Sequence, residues 1–165
     1  MERCDGCGFV YDLDLAAVAA DEIVERAART SRIVGTAENA TVARRPQPET
    51  WSILEYGCHV RDVLLVQRER VLLALRADQP ALEPMGRDER VDHDGYNQQR
   101  PVDVARQLGD AALLFTGVLR RLDDRSWDRT LIYNYPEPSV RSLRWVAVHT
   151  LHEVTHHLRD VQTQA

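Results

Sequence analysis

Apolar residues recur at helical spacing in four long segments of this chain, whereas the alternating pattern typical of strands is scarce. A chain of 165 residues usually forms one domain around one core. Four helices of about 20 residues suit a bundle. We therefore expect an all-α fold, a four-helix bundle with long loops between successive helices, and place the helices at Leu13–Val34, Ser52–Ala77, Pro101–Leu122 and Ser142–Gln162.

Local signals define the helix ends. Ser52 and Glu55 fit a capping box, and Trp51 and Tyr56 occupy the two positions of a hydrophobic staple, so the second helix should begin at Ser52. Asp12 or Asp14 could cap the first helix, and Gly35 could end it. Pro101 suits the first turn of the third helix, and Ser142 could cap the fourth.

Composition excludes several classes of function. All 21 basic residues are Arg, interleaved with 26 acidic residues to a net charge of −5, which argues against binding to nucleic acid. The sequence contains no run of about 20 apolar residues, which is the length that a membrane-spanning helix requires. Because the N-terminus lacks the pattern of a secretory signal, we expect a cytoplasmic protein. The odd cysteine count of three makes a disulfide framework improbable.

Histidines cluster in two of the predicted helices. His152 and His156 lie four residues apart, so they project from one face of the fourth helix and could chelate one ion. His59 in the second helix is the natural third ligand if the two helices are neighbours. Three imidazoles and a water would form an open site of the catalytic kind.

The face that carries these histidines could instead be a solvated surface. The core stripe of the fourth helix runs on the opposite side, through residues such as Ala147 and Val154. Trp145 and Val148, however, share the histidine face, which is unusual for a surface exposed to water. We therefore interpret that face as the wall of a cleft.

Residues 152–156 also match the His-Glu-x-x-His pattern of zinc peptidases, in which Glu153 would be the catalytic general base. Those enzymes take a third ligand downstream, where only Asp160 is available here. Asp160 could instead orient a metal-ligating imidazole by accepting a hydrogen bond from it. Glu55 and Asp62 flank His59 and could orient its ring in the same way.

The N-terminus carries Cys4-Asp5-Gly6-Cys7-Gly8, which has the shape of half a zinc knuckle. The two thiolates could form an additional metal site with other residues, could reach the histidine cluster itself, or could be a redox pair or two reduced cysteines. The candidates to complete a separate site are Cys58, His93, His149 and His157. A cysteine at the fourth position beside His59 would close the open site.

Taken together, Trp51-Ser52, His59, Trp145 and the His152-x-x-x-His156-His157 run resemble the DinB/YfiT-like superfamily of small four-helix proteins. The resemblance extends from about Leu13 to the C-terminus, so residues 1–12 form an N-terminal extension and residues 13–165 the bundle. It implies a divalent metal held by His59, His152 and His156. The imidazole ligands themselves favour zinc, with nickel or iron as other candidates.

The resemblance also implies transfer to or from a low-molecular-weight thiol such as mycothiol or bacillithiol, with an electrophile as second substrate. A metal cation stabilises a thiolate over a thiol, which makes the thiol nucleophilic at neutral pH. Two other functions stay open: a metallohydrolase that uses Glu153, and a non-catalytic protein stabilised by metal. Bundles of this size often pair, so we also expect a homodimer.

Overall fold

The computed structural model describes residues 3–36, 39–135 and 137–165. Four long helices dominate this part of the chain. In chain order its α-helices are α1 (Ala19–Thr36), α2 (Asn39–Val42), α3 (Ile53–Arg76), α4 (Arg87–His93), α5 (Pro101–Leu119), α6 (Asp124–Trp127) and α7 (Leu143–Gln162).

The long helices form the predicted four-helix bundle. Helix α1 packs against α5 and α7, and α3 packs against the same two helices from the other side. The main core lies between them and is filled by buried side chains such as Ile23, Leu64, Leu108, Phe115 and Val154. The second and fourth predicted helices are therefore neighbours, as α3 and α7, and this is the condition for a metal site shared between them.

The start of α3 follows the sequence signals closely. The Glu55 amide donates to the Ser52 hydroxyl, and the Ser52 amide donates to the Glu55 carboxylate, so both halves of the capping box are formed. The Trp51 and Tyr56 rings lie 5.6 Å apart, as the staple requires. The Ser52 hydroxyl also donates a hydrogen bond to the side-chain oxygen of Asn97.

The first predicted helix is divided in the structure. A 3₁₀ turn at Leu13–Ala17, capped by the Asp12 carboxylate, precedes α1. Gly35 lies inside α1 and does not end it. A Cβ atom at Gly35 would lie 3.1 Å from the Ala105 side chain, so this glycine allows α1 and α5 to approach closely.

The connections contain more structure than the sequence indicated. The segment after α3 includes α4 and a 3₁₀ turn at Tyr96–Gln98, and α5 ends at Leu119, three residues before the predicted end. A small antiparallel hairpin of β1 (Thr130–Tyr133) and β2 (Ser139–Ser142) leads into α7, with Thr130 paired to Ser142. The described residues are thus mostly helical and contain one two-stranded sheet. Among the described residues, no helix has the length and apolar character to cross a membrane.

Candidate metal centre

A cleft with a volume of about 590 Å³ opens between α3, α7, the segment before α4 and the end of β1. This size is ordinary for a small-molecule site. Its walls combine apolar side chains, several histidines and a few polar groups. They include His59, Val63, Val66, Gln67, Arg70, Met85, Tyr133, His149, His152, Glu153, His156 and His157.

One group of possible ligands joins α3 to α7, and we call it the His59 cluster: His59, Glu153 and His157. One ligand atom from each residue lies within 4.8 Å of the other two. Glu153 Oε2 is 4.0 Å from His59 Nε2 and 3.7 Å from His157 Nε2. Donor atoms that share a tetrahedral Zn²⁺ lie roughly 3.3–3.6 Å apart, so a small inward movement would suit such an ion.

Aromatic packing holds the imidazoles of the His59 cluster. His59 is 2% exposed, and its ring meets the Trp51 ring at 5.2 Å and the His157 ring at 4.8 Å between centroids. Tyr56 covers His157 at 5.3 Å. The staple that begins α3 is therefore also one wall of the cluster.

His157 is anchored from behind by Asp160, since the Asp160 carboxylate lies 2.9 Å from His157 Nδ1. A carboxylate that is hydrogen-bonded to one ring nitrogen fixes the tautomer, so that the other nitrogen, Nε2, can offer its lone pair to a metal ion. Asp160 is also 3.7 Å from His156 Nε2. The sequence suggested that Asp160 supports an imidazole ligand from behind. In the structure the imidazole that lies closest to its carboxylate is that of His157.

The ring of His59 is unusual for a buried polar group. Neither of its nitrogens has a hydrogen-bond partner within the described part of the chain. Burying an unsatisfied polar group is costly, and most such groups find a partner. Together with a carboxylate and a second imidazole, this orphaned ring fits a divalent metal, because two histidines and one glutamate form a known open zinc ligand set.

The pKa values of the residues in the His59 cluster are shifted by burial and by their contacts with one another. Burial opposes ionisation of Glu153, but its close contacts with His152, His157 and His59 hold its pKa well below the usual range. Burial also disfavours the charged form of His157, yet contacts with Asp160 and Glu153 raise its pKa to about 9. Burial lowers the pKa of His59. The site therefore presents an ionised carboxylate to the cleft.

A second group of possible ligands lies on the next face of α7, and we call it the Cys4 cluster: Cys4, Cys7, His152 and His156. Ligand atoms of all four residues lie within 4.8 Å of one another. Cys4 Sγ is 3.6 Å from His156 Nδ1. This cluster joins the two ends of the described chain.

The structure divides the sequence-predicted ligands between the two clusters. Among the groups of close ligand atoms in residues 3–36, 39–135 and 137–165, none combines His59 with His152 and His156. Glu153, interpreted from the sequence as a general base, lies between His59 and His157. Cys4 and Cys7 reach the histidines of α7 and not His59, so the geometry leaves the His59 cluster open.

Neither of the carboxylates predicted to orient His59 is placed to do so. Glu55 is paired with Arg45 at 2.6 Å and with the Ser52 amide. Asp62 accepts from the Tyr96 hydroxyl at 2.7 Å and pairs with Arg61. Both residues instead tie α3 to its neighbouring loops.

Two features of the site were not predicted from the sequence. His157 was named only as a candidate to complete a site with the cysteines, not as a partner of His59. It forms a second pair at four-residue spacing with Glu153, and that pattern could have been found by counting carboxylates as ligands. The Tyr11 hydroxyl lies 2.8 Å from His152 Nδ1 and 3.0 Å from His149 Nδ1. No pattern in the sequence indicated that Tyr11 would meet α7.

Comparisons with known proteins agree with the fold. YfiT from Bacillus subtilis, described as a probable metal-dependent hydrolase with an unusual four-helix bundle topology, superposes with a TM-score of 0.82 at 14% identity, covering 99% of this chain and 91% of that one. A mycothiol-dependent maleylpyruvate isomerase superposes with a TM-score of 0.71, also at 14% identity, over 91% of this chain and 60% of that one. No curated protein matches significantly. The sequence profile of the DinB superfamily matches residues 22–161, and the chain therefore belongs to the DinB superfamily.

Proposed function

We propose that this protein is a metal-dependent thiol S-transferase whose divalent ion is held by His59, Glu153 and His157. The observation that carries the proposal is the convergence of these three donors on the wall of a cleft large enough for a small molecule. This ligand set replaces the predicted three-histidine set, because His152 and His156 lie with the cysteines.

The donor set favours zinc, with nickel or iron as other cations that suit imidazole and carboxylate. Three protein ligands leave a coordination position for a small molecule. A divalent ion bound there would stabilise a thiolate over the corresponding thiol.

The residues of the chain itself prepare this chemistry. Asp160 fixes the tautomer of His157, and Trp51 and Tyr56 hold the two imidazoles in place. The ionised Glu153 supplies a negative charge that attracts a cation. These interactions order the ligands before any ion binds, which reduces the cost of binding.

The cleft next to the His59 cluster suits a substrate with both polar and apolar parts. Val63, Val66 and Met85 provide an apolar wall, while Gln67 and Arg70 provide polar groups. Arg70 is held by the Tyr133 hydroxyl at 2.9 Å and by the Glu83 carbonyl at 2.8 Å. A sugar-containing thiol such as mycothiol and a small electrophile would match this combination.

In the proposed reaction the thiol sulfur attacks an electrophilic carbon. A carbon–sulfur bond forms, the bond to the leaving group breaks with its electron pair, and the thiol proton passes to solvent. The substrates are therefore a low-molecular-weight thiol and an activated carbon compound.

The test is an assay of zinc-loaded protein with mycothiol, bacillithiol or glutathione and a bimane electrophile. We expect thiol consumption to depend on the metal and to be lost in Glu153→Gln, together with the ion. Turnover that persists without metal, or in Glu153→Gln, would refute the proposal.

The same variant separates the second candidate function, a metallohydrolase with Glu153 as general base. In that case Glu153→Gln should keep its metal and lose only the hydrolysis of ester or amide substrates. Loss of metal in this variant would instead support a ligand role.

A further inference from the structure

We propose that Cys4, Cys7, His152 and His156 form a second, closed zinc site that fastens the N-terminal segment to α7. The inference is independent of the proposed transferase activity, because its ligands are separate from the His59 cluster. It rests on the donor chemistry, on the geometry of the N-terminal loop and on the packing of that loop against α7.

The donor set is that of a structural zinc site. Two cysteines separated by two residues and two histidines separated by three residues match the ligand spacing of Cys2His2 zinc sites. The distance of 3.6 Å from Cys4 Sγ to His156 Nδ1 agrees with the roughly 3.5–3.6 Å between a sulfur and a nitrogen that share a tetrahedral zinc ion. Four protein donors leave no open position, so the expected role is structural.

The loop that carries the cysteines is folded as a compact knuckle. Arg3 and Val10 form an antiparallel bridge, the Cys4 amide donates to the Phe9 carbonyl at 2.9 Å, and the Gly8 amide donates to the Cys4 carbonyl at 2.8 Å. Gly8 has a φ of 76°, a conformation that favours glycine. Backbone groups of Gly6 and Cys7 interact with the Cys4 sulfur.

The knuckle fits closely against the histidine face of α7. A Cβ atom at Gly6 would lie 2.9 Å from His156 Cε1, closer than side chains normally approach. The Phe9 ring lies 5.4 Å from the His152 ring. Gly6 is therefore the residue that lets the two cysteines approach His156.

His152 is prepared for a ligand in this position. Its Nδ1 atom lies 2.8 Å from the Tyr11 hydroxyl, whereas its Nε2 atom is buried and has no hydrogen-bond partner among residues 3–36, 39–135 and 137–165. A zinc ion would satisfy this orphaned nitrogen, and the hydroxyl would set the orientation of the ring.

The site explains why the two ends of the chain meet. Residues 4 and 156 are separated by 152 positions, so the contact closes nearly the whole chain into a loop. A metal crosslink across so long a loop restricts the unfolded chain strongly. The Cys4 cluster should therefore contribute to stability and should not be required for binding of an ion at the His59 cluster.

The test is cobalt substitution of the full-length protein, followed by absorption spectroscopy and metal analysis. We expect two metal ions per chain and the near-ultraviolet charge-transfer band of cobalt–thiolate coordination. The double variant Cys4→Ser/Cys7→Ser should lose this band and about one ion, whereas Cys58→Ala, the matched cysteine control, should keep both. His59→Ala should lose one ion and keep the band.

A second variant guards against misfolding of the double mutant. Gly6→Ala should weaken zinc retention and the thiolate band because it pushes against His156, whereas Gly109→Ala, which meets no neighbouring atom within 4 Å, should change neither. A wild-type protein with no thiolate band, a band that survives in Cys4→Ser/Cys7→Ser, or a Cys4–Cys7 disulfide in the metal-loaded protein would overturn the proposal.

Discussion

The His59 cluster and the Cys4 cluster lie side by side on α7 and differ in the number and type of their donors. The first offers two imidazoles and a carboxylate, and the second offers two thiols and two imidazoles. Adjacent residues on a helix differ by about 100° around its axis, so Glu153 and His157 face α3 while His152 and His156 face the N-terminal segment. One helix therefore presents a three-donor cluster toward α3 and a four-donor cluster toward the knuckle, and residues of both clusters line the cleft.

The two clusters are also connected. Glu153 Oε1 lies 3.2 Å from His152 Nδ1, and Asp160 approaches both His157 and His156. Second-layer contacts of this kind tune metal affinity. The comparison thus predicts separate ligand sets with shared supporting groups.

The largest effect should come from His59→Ala. Loss of this donor should remove the ion from the His59 cluster and reduce thiol transfer by more than about 100-fold, since the loss of a supporting contact alone costs about 10–100-fold. Metal analysis and the thiol assay measure the two effects. His93→Ala, at an exposed histidine outside both clusters, is the control, and equal losses in both variants would contradict the assignment.

A smaller effect should come from Asp160→Asn. The variant should weaken metal binding at the His59 cluster by about 10–100-fold, because His157 loses the partner at 2.9 Å. Binding at the Cys4 cluster should change less, because Asp160 is 3.7 Å from His156. Competition titrations with a chelator in His59→Ala and Cys4→Ser/Cys7→Ser backgrounds measure each site alone. The reverse order of effects would count against the comparison.

Tyr11→Phe should act mainly on the Cys4 cluster. The change removes the hydroxyl next to His152 Nδ1 and His149 Nδ1, and we expect zinc loss to a chelator to accelerate by about tenfold. Stopped-flow measurement with a chromophoric chelator reports the rate. An unchanged rate would show that the hydroxyl does not position His152.

The smallest effect on metal content should come from Glu55→Gln, which lies outside both clusters. Burial opposes ionisation of Glu55, but Arg45 and the Ser52 amide lower its pKa below the ordinary 4.5. A lowered pKa in the folded state means that the carboxylate stabilises the fold above about pH 4.5 and that this stability is lost as the pH falls through the folded-state pKa.

The variant should cost about 1–2 kcal/mol at neutral pH, in the range of a lost helix cap, and should flatten the acid side of the stability profile. Denaturant unfolding between pH 3 and 7 provides the measurement. Metal content should remain at the wild-type value. A loss of metal from the protein would show that Glu55 supports His59 after all.

The sequence predicted the bundle and the start of α3 because these depend on local patterns. Helical spacing of apolar residues defines a core face, and Ser52, Glu55, Trp51 and Tyr56 meet within two turns. The sequence indicated only a long loop before the fourth helix, where the structure has a hairpin, since four-residue strands leave little alternation to recognise.

The ligand sets were less predictable, for a geometric reason. His152 with His156 and Glu153 with His157 are both pairs at four-residue spacing, and the sequence does not state which pair faces α3. The position of Cys4 depends on contacts across 152 residues, so the sequence left its partners open. Only the packing of the knuckle and of α3 distinguishes the two pairs.

The most direct test is an anomalous-diffraction map of zinc-loaded crystals at the zinc absorption edge. We expect two peaks, one among His59, Glu153 and His157 and the other among Cys4, Cys7, His152 and His156. A single peak bounded by His59, His152 and His156 would contradict the division of α7 into two metal-binding faces.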